Sequence, residues 1–532
     1  MPTLNWIGKE AVVNHHHQVP FHLLKDVPDL ACGNPGEGNL IVQGDNLVAL
    51  KALLPYYAGQ VKCIYIDPPY NTGNEGWVYN DNVNSPLMRE WLGKTVGKEG
   101  ETLDRHDRWL CMMYPRLALL KQFLKVDGAI FVSIDDVEVG QLRLLMDEIF
   151  GANNLLANCV WQKKYTRAND ARWFSDNHDH ILAYARSKSD FKIGRIERGE
   201  AQDKAYKNPD NHPLGPWKPT PLHAKSGKDR SEYTFQNGSS WQPPKGTFRR
   251  FNDESMARLD ENSEIWYGTK GDAVPQRKTF LGSLTAGLTP VTLWTHEAAG
   301  DNHVARDEVK SILSDTGQSF DNPKPTSLLQ LILQLSSGPD SLILDSFAGS
   351  GTTGHSVLNL NKLDGGNRRF ILVEMEEDIA QKITSERVRR VAKGYTNSKG
   401  NSVEALGGGF RYCELGEPIF DETGKIRETV RFADLARHVY FSETGEPLPR
   451  ERVPNTPLLG VCRGVAIYLL YNGILGDKSS NGGNVLTRAV LSKLPPFKGQ
   501  KVIYCAGCLL GRDRLQSEKV IVRQTPYEIK VS

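Results

Sequence analysis

The sequence predicts an α/β protein, a doubly wound parallel sheet split by an irregular insert and followed by a smaller α/β extension. Three observations predict it. Apolar runs bounded by turn residues alternate with helix-period segments over residues 39–150 and again over 323–392, as strands covered on both faces require. Between them, from about 160 to 320, the rhythm stops in a stretch rich in Trp, Tyr, Asn, Pro and basic residues. A glycine-rich seam from Gly394 to Gly409 then precedes a last region with β-type runs of its own.

The elements follow in order. Residues 39–45 read as a strand, 46–54 as a helix and 61–66 as a second strand. An amphipathic helix is expected from near Arg108, with Pro115 as a point where it can kink. Gly128 to Ile134 reads as a buried strand and 137–150 as a helix. In the second block a strand ends at Asp345, a helix starts near Thr352, and a further strand ends at Glu374. Val465–Tyr471 and Lys501–Cys505 are the clearest strands of the extension. The expected divisions are an arm at 1–37, core halves at 38–158 and 321–395, an insert at 159–320, and an extension at 396–532.

Composition narrows the classes. In 532 residues, Lys and Arg number 65 against 63 Asp and Glu, a net charge of +2 that says little about partners. The balance hides a local excess: between residues 161 and 250, Lys and Arg outnumber Asp and Glu 18 to 10. Mean hydropathy is −0.44, and no stretch approaches the ~20 apolar residues of a membrane span. The N-terminal residues lack the pattern of a secretory signal, and eight cysteines in so long a chain suggest reduced thiols. A cytoplasmic protein is expected. No GxxxxGK[ST] loop is present, so an ATP motor is not.

Two motifs carry chemistry. Asp67-Pro68-Pro69-Tyr70 directly follows the strand VKCIYI, where a ligand site in a parallel sheet falls. The two prolines stiffen the corner. The Asp67 carboxylate and the Pro68 carbonyl offer paired acceptors beside the flat face of Tyr70, a receptacle for an amino group on a planar ring. Such an amine is a poor nucleophile because its lone pair delocalises, and two acceptors gripping its hydrogens favour the pyramidal, reactive nitrogen. A plain Pro-Pro turn with an Asx cap is the alternative.

The second motif is Leu342-Ile-Leu-Asp345-Ser-Phe347-Ala348-Gly349-Ser350-Gly351-Thr352-Thr-Gly354. Its GxGxxG spacing, with Glu374 placed 23 residues after Gly351, also fits a dinucleotide fingerprint. Asp345 and Phe347 are less usual for that reading. A donor without a pyrophosphate would use the same loop for space and the terminal acid for ribose hydroxyls.

Taken together, the motifs resemble the amino-directed DNA methyltransferases of the β order, with DPPY upstream of FxGxG. The segments GNLIVQGDNLVAL, YIDPPYNTG and FDNPKP are most similar to modification subunits of type III restriction systems. The resemblance covers about residues 38–392. It implies a Rossmann-like core binding S-adenosylmethionine, with Asp67, Pro68, Pro69 and Tyr70 catalytic and no metal. It further implies cofactor contacts from Lys324, Pro325 and Thr326 to the methionyl carboxylate, from Asp45 to the adenine, and from Asp345, Phe347, Ala348, Gly349, Ser350, Gly351, Thr352 and Glu374. The substrate implied is double-stranded DNA, with the insert as recognition region and a flipped adenine as target. A Ser at the first motif position would instead go with N4 of cytosine, which stays the alternative. The resemblance also implies a homodimer and a separately encoded ATP-dependent helicase or helicase–nuclease. A non-catalytic specificity subunit and an enzyme for RNA or protein amides are the competing functions.

Other features are discounted as sites. His15, His16, His17 and His22 lack a partner at ligand spacing. Cys505 and Cys508 form half a zinc ribbon and read as buried thiols. Asp135, Asp136 and Glu138 read as acids complementing a helix start at Val137.

Overall fold

The computed structural model describes residues 4–34, 38–71, 101–196, 198, 203–283, 287–448, 455–471, 474–476 and 483–525, with backbone alone at 101–105. Thr72 and Gly73 of the YIDPPYNTG segment lie outside the described residues. The chain divides into two compact units, residues 195–290 and the remainder.

The larger unit is built on strands β1 (His22–Asp26), β2 (Leu40–Gln43), β3 (Val61–Ile66), β4 (Leu124–Ile134), β5 (Leu155–Trp161), β6 (Asp179–Ala185), β7 (Leu293–Trp294), β8 (Leu342–Asp345), β9 (Arg369–Glu374) and β10 (Arg411–Pro418). They form one sheet in the order β1-β10-β2-β9-β8-β3-β4-β6-β5-β7. The run from β10 to β4 is parallel, whereas β6 is antiparallel to both β4 and β5, and β1 to β10. The sheet is therefore mixed, not wholly parallel as the alternation predicts. Helices α1 (Asn46–Tyr57), α2 (Glu101–Phe123), α3 (Val139–Met146), α4 (Asn302–Ile312), α5 (Thr326–Ser336), α6 (Thr352–Asp364), α7 (Ser385–Lys393) and α8 (Phe432–Thr444) accompany it. Helix α2 starts before Arg108, because its polar first turns give no periodic signal, and it continues through Pro115.

Burial explains why the centre of the sheet is so apolar in sequence. Ile64, Ile66, Ile343, Leu344, Ile371, Leu372 and Val373 are fully buried, each contributing roughly 1.5–3 kcal/mol by burial. Parallel β8 and β3 are neighbours, with Leu344 opposite Ile64. The chain leaves β8 for β9 on one side and β3 for β4 on the other. Crossovers that diverge in this way leave a crevice at the carboxyl ends of the two strands. Asp345 and Asp67 emerge there.

Three expected boundaries move. Strands β5, β6 and β7 belong to the main sheet, so the compact insert is 195–290 and not 159–320. Strand β10 also belongs to it, so the sheet extends past residue 396, and β1 of the N-terminal arm closes its edge. The missing signal is pairing across long sequence separations. Beyond β10, strands β11 (Leu458–Cys462), β12 (Val465–Leu469), β13 (Gln500–Cys505) and β14 (Val520–Gln524) form a four-stranded sheet. Its core takes in Phe21 of the arm with Leu435, Val439, Leu469 and Val502.

The 195–290 unit has its own core of Leu222, Phe235, Trp241, Met256, Leu259 and Ile265. It carries a three-stranded antiparallel sheet (Trp217–Pro221, Ile265–Trp266, Gln276–Phe280) and the helix Asp253–Glu261. Part of the basic excess is spent inside: Arg249 is buried against Ser231 and Asp253, and Lys278 against Asp210. None of the eight cysteines is joined in a disulfide. Among the described residues, no helix is long and apolar enough to cross a membrane.

Candidate active site

The DPPY corner is fixed from several directions. The Trp109 indole N–H, buried in α2, donates to the Pro69 carbonyl at 2.7 Å. Asn71 takes a left-handed backbone (φ +59°) and its amide donates to the buried Glu138 at 2.5 Å, which also meets His106 Nδ1 at 2.5 Å. Glu138 thus points inward and anchors the corner, contrary to the expected helix-start role. Helix α3 begins at Val139, and Asp135 braces the turn before it, accepting from the Val137 N–H at 3.0 Å.

Within the corner, Asp67 Oδ1 accepts from the Tyr70 hydroxyl at 2.9 Å, and Oδ2 accepts from Lys324 Nζ at 2.6 Å. The Lys324 ammonium also lies 5.0 Å from the Tyr70 ring centroid. Asp179 Oδ2 is 3.4 Å from the Tyr70 hydroxyl. Burial, then the charges of Asp179 and Asp67, raise the Tyr70 phenol well above its ordinary value, so it stays a neutral donor. Asp179 and Asp176 also hold Lys163, at 2.8 and 2.7 Å. Burial pulls Lys163 down, but these carboxylates outweigh it and leave its ammonium above the usual value.

The glycine loop follows β8. Asp345 is buried and accepts from the Phe347 N–H (3.0 Å) and the Thr353 hydroxyl (2.5 Å). Burial pushes its carboxyl up to about 7. Glu374 accepts from the Gly349 and Glu376 N–H groups at 2.7 and 3.0 Å, and burial raises it too. Gly349 has φ +49°, and a Cβ there would come 2.9 Å from the Phe320 ring. Gly351 has φ +77°, and its missing Cβ faces the Thr384 backbone at 3.1 Å.

Behind the loop stands Arg387 of α7, fully buried. It donates to the Ser350 and Thr352 hydroxyl oxygens (3.0 and 2.9 Å) and meets Glu308 at 3.4 Å. Glu308 in turn accepts from the Thr326 N–H and hydroxyl at 3.1 and 2.6 Å. The Thr352 hydroxyl donates to the Lys324 carbonyl at 3.0 Å. Burial lowers Arg387 to about 10, which leaves it charged.

A cleft of about 880 Å³ joins both motifs. Asp67, Pro68, Pro69, Tyr70, Lys324, Asp345, Phe347, Ala348, Gly349, Ser350 and Thr352 line it, as the sequence leads one to expect. Asp45, Pro325, Thr326, Gly351 and Glu374 do not. Asp45 caps α1 through the Val48 N–H (3.0 Å) and pairs with buried Arg116 at 3.2 Å. Glu374 is only 2 % exposed, its oxygens turned to the backbone N–H groups of the loop and of Glu376. Sequence reasoning missed Asp135, Lys163, Asp176, Asp179, Arg306 and Phe320, which also line the cleft. Of these, Phe320 opens the FDNPKP segment, Asp135 stands among the acids discounted as a site, and Lys163 falls in the basic excess that starts at Trp161.

The DNA methylase (N6/N4 methyltransferase) family model matches residues 61–385, from β3 to the start of α7. The Mod subunit of the type III restriction–modification enzyme StyLTI from Salmonella typhimurium is 35% identical over 83% of this chain and 70% of that protein. The chain belongs to the type III Mod subunits of the DNA methylase family. The EcoPI Mod subunit of Escherichia phage P1 is 30% identical over 83% of this chain and 74% of its own, and the EcoP15I Mod subunit of Escherichia coli 29% over 74% and 69%. For this Mod chain the cleft is thus framed by motifs that the family match encloses, whereas Asp45, β1, β2 and the four-stranded sheet lie outside it.

Proposed function

We propose that this Mod chain transfers a methyl group from S-adenosylmethionine to N6 of an adenine turned out of duplex DNA at a specific sequence. The observation that carries the reading is the single cleft in which Asp67, Tyr70 and Lys324 meet the Gly349 loop. The residues present fit the donor. Gly349 lacks the Cβ that would collide with Phe320, so the loop and that ring together leave an open, partly aromatic wall. When bound, S-adenosylmethionine supplies a sulfonium-activated methyl group. Lys324 and the Ser350 and Thr352 hydroxyls would hold its carboxylate, and Phe320 and Phe347 its flat adenine. Asp45, Pro325, Thr326, Gly351 and Glu374 would act from behind, by holding the lining in place.

On the DNA side, the Tyr70 ring stacks on the extruded base, and such stacking contributes ~1–3 kcal/mol toward the few that extrusion costs. The amino hydrogens go to Asp67 and the Pro68 carbonyl, which draws the lone pair out of the ring. Aspartate at the first motif position supports adenine over cytosine. Target recognition belongs to the 195–290 unit, whose exchange with that of a relative should move the modified sequence and spare the chemistry. Residues beyond β10 support pairing into a homodimer on DNA and docking of an ATP-dependent helicase–nuclease subunit. Light scattering of the full chain with and without DNA tests the dimer. A chain cut near Lys393 would lose β10 and expose Phe21, so truncation there cannot.

The test of function is transfer of labelled methyl from S-adenosylmethionine to duplex DNA, followed by nucleoside analysis. N6-methyladenine is expected. N4-methylcytosine would move the target to the other amino base, and no incorporation would leave a specificity subunit without chemistry.

A further inference from the structure

Beside the cleft, the ends of β4 and β6 bring together a second group of polar side chains. Asp136 follows β4, while His178 and His180 flank Asp179 where β6 starts, with His180 paired opposite Ile134. His180 Nε2 lies 2.9 Å and His178 Nε2 3.7 Å from Asp136 Oδ1. The three candidate ligand atoms all lie within 4.8 Å of one another. We propose that Asp136, His178 and His180 bind one late first-row divalent cation, for which zinc is the reference ion.

Four features argue for it. Tetrahedral bonds of about 2.0–2.2 Å place neighbouring donor atoms roughly 3.3 Å apart, and the two measured separations bracket that distance. His178 stands just before β6 and His180 is its second residue, and their rings meet edge-on with centroids 5.1 Å apart, so both imidazoles reach the same place. His180 Nδ1 sits 3.2 Å from the Asn158 side-chain oxygen. Donation from Nδ1 to that oxygen leaves the Nε2 lone pair directed at Asp136, as the outer partners of metal-bound histidines do. Finally, two imidazoles with one carboxylate suit zinc, cobalt or nickel and disfavour magnesium or calcium.

Asp136 is 66% exposed, so a fourth position is open to water. The site carries consequences for the neighbouring wall. Asp179, between the two histidines, holds Lys163 and approaches the Tyr70 hydroxyl. An ion joining the end of β4 to the start of β6 stiffens the segment that positions it. The ion braces the cleft's edge and takes no part in methyl transfer.

The test is titration of the full-length, chelator-stripped protein with Zn²⁺ by calorimetry and with Co²⁺ by visible absorption. One equivalent per chain is expected, with the cobalt bands of a four- or five-coordinate site and a raised unfolding midpoint. His178→Gln and His180→Gln should each weaken binding at least ten-fold, and Asn158→Ala should weaken it less. His303→Gln, at an exposed residue beside Asp307, should leave it unchanged. No binding would mean a simple His–carboxylate ion pair and overturn the proposal. Binding that survives loss of both His178 and His180 would also overturn it, since the ion would then sit elsewhere.

Discussion

Lys324 places its ammonium 2.6 Å from Oδ2 of Asp67, and so joins the segment before α5 to the corner after β3. With the Tyr70 hydroxyl on Oδ1, both oxygens of this carboxylate have a donor. An amino group entering the corner must therefore share this carboxylate with Lys324 and Tyr70 or displace one of them. A carboxylate on the methyl donor gives Lys324 another anion to face. Donor binding would thereby free Asp67 for the base.

Lys324→Met should weaken S-adenosylmethionine binding by roughly ten-fold or more, since a charge-assisted hydrogen bond contributes about 1.5–3 kcal/mol. Equilibrium dialysis with labelled donor measures it. Unchanged affinity would mean that Lys324 serves Asp67 alone.

Arg387 ties the glycine loop to Glu308, and through it to Thr326, from a fully buried position. Arg387→Met leaves Glu308 without this cation and should cost about 3–5 kcal/mol in a urea titration. Arg387→Lys should rescue little, because one ammonium cannot span the hydroxyls and the carboxylate as the guanidinium fork does. Donor affinity should fall with both.

Asp345 gives a pH signature. Burial raises its folded-state pKa to about 7, above the ~4 of an unfolded aspartate. The folded chain then holds a proton that the unfolded chain releases. Its favourable contribution is complete below about pH 4 and is lost as pH rises through 7. The wild-type urea midpoint minus that of Asp345→Asn should decline across that window. A flat difference would place the Asp345 carboxyl in the ordinary range.

What the sequence revealed of this molecule is what it carries locally. Asp67–Tyr70 and Asp345–Thr352 each sit at the end of a buried apolar strand, so motif and position were read together. Arg387, Glu308 and Asp179 were not legible, because each acquires its role from partners on other elements. The acids after β4 looked alike in sequence. In the structure Asp135 braces the turn before α3 and lines the cleft, Asp136 faces the histidines, and Glu138 is buried under Asn71. The insert's boundary was hidden for the same reason: β5 and β6 pair with the main sheet rather than with their sequence neighbours beyond residue 194.

The central claim is that methyl transfer takes place at the Asp67 corner of a cleft whose donor site lies at the Gly349 loop. Parallel measurement of methyl incorporation into DNA and of S-adenosylmethionine binding, for wild type and Asp67→Ala, tests it most directly. Loss of one transition-state acceptor typically costs ~10²–10³ in rate. Incorporation should fall by at least that factor, with donor affinity within a few-fold of wild type. Near-normal incorporation by Asp67→Ala would contradict it.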